Sequence, residues 1–102
     1  MAETASKAPH EVVTKVHEGI EVKIDRTYVR SWPGLVAAAD MQRKDLDMAD
    51  RFLAQIRYYQ GACPNIDEVT EALAEARPDQ EVSGSDVMEF VAAAVRGDTP
   101  KN

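Results

Sequence analysis

Cysteine occurs once in this chain, at Cys63, so no internal disulfide can staple it and the fold must hold by packing alone. A single thiol is also what a reducing compartment permits. Aromatic residues make up only 6% of the chain, with Trp32 as the one tryptophan, and although Tyr58 beside Tyr59 could stack on bases, the charge around them is wrong for nucleic acid. Only two histidines, His10 and His17, are present, and with no paired cysteine the usual metal-ligand sets cannot be assembled. No apolar run approaches the ~20 residues that a bilayer-spanning helix needs. The N-terminal residues lack a basic flank followed by an apolar stretch, so no signal peptide is expected and the cytoplasm is the expected location. Glycine and proline are scarce, and no segment is of low complexity.

An excess of positive charge is missing too. The chain carries 12 Lys and Arg against 18 Asp and Glu, a net charge of −6. Residues 1–57 are balanced, with nine basic and nine acidic side chains, whereas residues 58–102 hold three basic and nine acidic. An acidic half disfavours nucleic acid and anionic membranes as partners, because both require concentrated Lys and Arg. It keeps the chain soluble and can steer a basic partner.

What is present is one domain's worth of chain, 102 residues of which 44% are hydrophobic, enough for one modest core. Residues 1–9 are small, polar and aperiodic and are expected to form a disordered leader. From Val12 the pattern has period two. Val12, Thr14 and Val16 alternate with Val13, Lys15 and His17. After Glu18-Gly19, Ile20, Val22 and Ile24 alternate with Glu21, Lys23 and Asp25. The pair reads as a β-hairpin whose second strand buries its Ile/Val face. A lone hairpin is marginal in water, so a helix or another molecule must cover it.

Helical signals fill the remainder. Asp25 can cap a short turn, and Ser31 can cap a helix with Pro33 in its first turn. Trp32, Leu35, Val36 and Ala39 share one side of that helix. The stretch 46–60 is the longest amphipathic segment, and Asp45 or Asp47 can cap its start. Leu46, Met48, Ala49, Phe52, Leu53, Ile56 and Tyr59 gather on one arc, which is expected to organise the core. Gly61 is expected to end it in the left-handed conformation. A continuous helix over 33–60 and two separate helices both fit. Asn65 with Glu68 resembles a capping box for a third helix with Ile66, Val69, Leu73 and Ala76 inward. Ser83 with Asp86 caps a last helix ending at Gly97, with 98–102 as a frayed tail. Its apolar arc is wide, and Met88 and Val95 at the edge are expected to reach past the core. The expected architecture is α+β: an N-terminal β-hairpin followed by three to four packed α-helices, forming a single domain over 10–97.

No constellation of side chains points to catalysis, and no cofactor or metal site is expected. In an extended strand the two histidines have opposite parity and cannot share an ion. Cys63 would need a neighbouring histidine to act as a nucleophile, and a small residue in a turn before Pro64 is the plainer account. Asp45, Asp47 and Asp50 lack the glycine and terminal glutamate of a calcium loop. Glu68, Glu71 and Glu75 form a solvated helix face that can also dock a basic partner. Tyr58 stands on the charged side of its helix, where tyrosine suits a protein interface.

The run Gly19-Ile20-Glu21-Val22-Lys23-Ile24-Asp25 leads into Tyr28-Val29-Arg30-Ser31-Trp32, and the last helix reads Ser85-Asp86-Val87-Met88-Glu89-Phe90-Val91-Ala92. In size and order of elements the chain resembles the small tail assembly chaperones of long-tailed phages and prophages. The resemblance implies a non-enzymatic protein in the bacterial host cell that binds the tape-measure protein and assists tail-tube assembly around it. Tyr58, Glu68, Glu71, Glu75, Met88 and Val95 would be its contacts. A cytoplasmic adaptor or regulatory, antitoxin-like subunit is the alternative. Either role allows a homo-oligomer.

Overall fold

The fold is described by a computed structural model covering residues 10–98, so the expected leader over 1–9 and the end of the expected tail lie outside the described residues. The order is β1 (Val12–His17), β2 (Ile20–Asp25), α1 (Arg26–Arg30), α2 (Trp32–Asp40), α3 (Met48–Ala62), α4 (Ile66–Ala76) and α5 (Gly84–Asp98). The architecture is α+β, a two-stranded antiparallel hairpin followed by packed helices.

The hairpin turns on two residues, Glu18 at φ 52° and Gly19 at φ 82°, the type I′ geometry that matches strand twist. Its register pairs Thr14 with Lys23 and Val16 with Glu21. Val22 and Ile24 of β2 are fully buried, as the alternation requires. They meet Val69 and Leu73 of α4 and Val87, Phe90, Val91 and Ala94 of α5, with Cys63 closing the same cluster. The hairpin is therefore covered from within its own chain.

The caps follow the sequence signals at three starts. Asp25 accepts from the Tyr28 N–H, Ser31 from Gly34, and Asp47 from Asp50. Ser83 and Asp86 form a reciprocal capping box at the start of α5. Residues 33–60 form two helices, separated by the turn between Asp40 and Met48.

Several expectations are overturned. The stretch around α3 does not organise the core. Met48, Phe52 and Leu53 are exposed, while Ala54 and Ala62 are buried. A helical wheel fixes which residues share a face, not which face turns inward, and small residues won here because they allow close helix approach. Gly61 is not a left-handed cap. It lies inside α3, where a Cβ would overlap the Tyr28 ring. Gly34 is likewise buried against the Tyr28 carbonyl, so Tyr28 is wedged between α2 and α3. Asn65 makes no side-chain cap, because its amide is drawn to β2. Ala76 is exposed rather than inward. Val95 packs against the core instead of reaching past it.

Asp98 is not part of a frayed tail. Its carboxylate, 7% exposed, receives a two-pronged contact from Arg26 at 2.9 and 2.7 Å and a contact from Lys15 at 3.3 Å. Arg26 also reaches Glu11 at 2.9 Å. An acidic group at a helix C-terminus opposes the helix dipole, and these two cations compensate for it while tying α5 to α1 and β1. Among the described residues no helix is long and apolar enough to cross a membrane.

Candidate partner-binding surface

Helix α2 lies outside the core cluster, and α3 reaches that cluster through Tyr59. Helix α2 packs on α1 and α3, with Gly34 and Ala37 turned inward. This leaves its large side chains outside: Trp32 is 75% exposed and Leu35 54%. On α3, Met48 is 77% exposed and Phe52 44%. Solvation of so many large apolar groups on one helical pair is the kind of surface that marks a binding site.

Met48, Phe52 and Ile56 follow at four-residue spacing along α3, so they form one row. The row runs into an open groove of about 380 Å³ between α3, α4 and α5. Phe52, Ile56, Tyr59, Ile66, Val82 and Met88 supply its apolar walls. A second, shallower depression of about 210 Å³ shares Tyr59 and Met88 and extends past Glu89 and Ala92. Asp67 lines the first and Glu89 the second, and no Lys or Arg lines either. The result is an apolar trough whose acidic border lies in the half of the chain that holds the excess negative charge. Such a trough suits an amphipathic helix with apolar anchors and basic flanks.

The expected contact residues are placed unevenly. Met88 lines both depressions. Glu68, Glu71 and Glu75 are exposed on α4. Val95 lies against the core. Tyr58 is half-buried rather than exposed, with its ring 5.1 Å from Tyr59 and 6.1 Å from Tyr28. Burial raises its phenol pKa, as it does for Tyr59. Trp32, Leu35, Phe52, Ile56 and Val82 were not singled out from the sequence as contacts. For Trp32 and Leu35 the signal was the pair of small residues, Gly34 and Ala37, opposite a face of large ones, which marks the small face of α2 as the packing face.

The polar candidates are separated. His10 Nδ1 lies 2.6 Å from Asp25 Oδ2. His17 packs edge-on against Phe90, with ring centroids 4.7 Å apart. The Cys63 thiol is buried, donates to Asn65 Oδ1 at 3.3 Å, and is pushed up to about 11 by loss of solvent. That is the reverse of an activated thiol. Asp45 is held by Arg43 and Asp47 caps α3. Among the described residues no group of three or more His, Cys, Asp or Glu could hold a metal ion.

No family model matches the chain, and neither a curated protein nor a solved structure is found similar to it.

Proposed function

We propose that this chain is a non-enzymatic protein-binding module that receives an apolar helical segment of a partner, and that it serves as a tail assembly chaperone for a tape-measure protein. The observation that carries the proposal is the row Met48–Phe52–Ile56 leading from the exposed α2–α3 face into an apolar groove with Asp67 and Glu89 at its border. A chaperone for a long apolar protein has to keep such a surface wet until its client arrives, and the acidic border selects clients with Lys or Arg beside the apolar anchors. The size and element order shared with the tail assembly chaperones make the tape-measure protein the concrete client.

Co-expression with a tape-measure protein tests the proposal. The chain should raise the soluble fraction of that protein, and a Phe52→Ala, Ile56→Ala double variant should not. Trp32 offers a second readout, since its exposed indole emission should shift to shorter wavelength if the client covers α2. An unchanged client solubility with the wild-type chain would remove the chaperone assignment.

A further inference from the structure

The two edges of the hairpin are treated differently. In the pairs Thr14–Lys23 and Val16–Glu21 the main-chain groups of both strands point away from the ladder. On β2 these groups are occupied: Lys23 N–H donates to Asn65 Oδ1 at 2.9 Å, and the Glu21 carbonyl accepts from Asn65 Nδ2 at 3.2 Å. The side-chain amide thus stands where a third strand would be. On β1 the corresponding groups of Val12, Thr14 and Val16 have no partner among the described residues, and Val12 and Val16 are 45% and 70% exposed. An open edge of this kind is a template for another strand.

We propose that the outer edge of β1 is the interface of a two-fold homodimer, in which β1 pairs antiparallel with β1 of a second copy about an axis through Thr14. The occupant is a second copy because the strand is complementary to its own reversal. Centred on Thr14, Val12 lies opposite the second copy's Val16, so the outward face Val-Thr-Val matches itself. The same register continues into the flanking residues. Glu11 lies opposite the second copy's His17, the last residue before the turn. No like charges are therefore set against each other across the axis. The paired residues are those whose main-chain groups point outward, so the register satisfies the open donors and acceptors with roughly six hydrogen bonds. The strand order becomes β2-β1-β1-β2, with Asn65 closing both ends. Association stops at two copies because, among the described residues, each chain has one open edge.

This homodimer is independent of the client-binding groove, which lies on α3, α4 and α5. Sedimentation of the full chain tests it first: the wild type should run as a dimer and the Thr14→Pro variant, which lacks the central outward N–H, as a monomer with unchanged far-UV circular dichroism. Cysteine placement tests the register even if that variant fails to fold. Opposed residues of a hydrogen-bonded pair lie about 5.5 Å apart at Cα, within disulfide reach. Under mild oxidation Thr14→Cys should give a cross-linked dimer, and Val16→Cys, four positions from its own copy, should not. A wild-type monomer at concentrations up to about 1 mM, a dimer that survives Thr14→Pro, or equal cross-linking at both positions would overturn the proposal.

Discussion

Asn65 Oδ1 lies 2.9 Å from the Lys23 nitrogen, with the rest of its amide against the Glu21 carbonyl, so one side chain in the α3–α4 turn finishes the outer edge of β2. The residue is 9% exposed. The Asn65→Ala variant should lose about 1–3 kcal/mol of unfolding free energy, since it strands a part-buried donor and acceptor together. Urea unfolding measures this. Asn65→Asp should be no milder, because a carboxylate cannot donate to the Glu21 carbonyl.

Tyr28 and Gly61 form a second interlock. Alanine is the better helix former by about 1 kcal/mol, so Gly61→Ala would stabilise an unhindered helix. Here the added Cβ overlaps the Tyr28 ring, and the net effect should be a loss of about 1–3 kcal/mol. A double-mutant cycle with Tyr28→Ala should be strongly non-additive, because removing the ring frees the space. Additive losses would show that the ring is not what Gly61 accommodates.

Acid should unfasten the link between α5 and α1. The hydrogen bonds from Arg26 hold the Asp98 carboxyl below the usual carboxylate range, with Lys15 adding to the effect. A depressed folded-state pKa means that this stability is present above the unfolded value of about 3.9 and is lost as pH falls through the lower folded value. Thermal midpoints should therefore hold from neutral pH to about pH 5 and then decline. Asp98→Asn should lower the midpoint at neutral pH and flatten the acid decline, as measured by calorimetry across pH.

Cys63 should be silent to alkylation in the folded protein. With its thiol pushed up to about 11, roughly one molecule in a thousand is ionised at pH 8, before any steric exclusion. Iodoacetamide labelling followed by mass spectrometry should be slow in buffer and rapid in urea. Rapid labelling of the native chain would mean that the α3–α4 turn opens readily.

Much of this molecule follows from local sequence. The two-residue turn at Glu18-Gly19, the alternation of Val22 and Ile24, and the caps Asp25, Ser31, Asp47 and Ser83 each act within a few residues, so their physics is complete in the sequence. The acidic character of the C-terminal half is likewise a matter of composition. Which face of α3 turned inward, where the Asn65 amide went, and how Asp98 found Arg26 depend on residues 42 and 72 positions apart. Contacts at that separation form only after the chain has folded back on itself, so tertiary packing alone decided that Phe52 would face solvent and that β1 would keep an open edge.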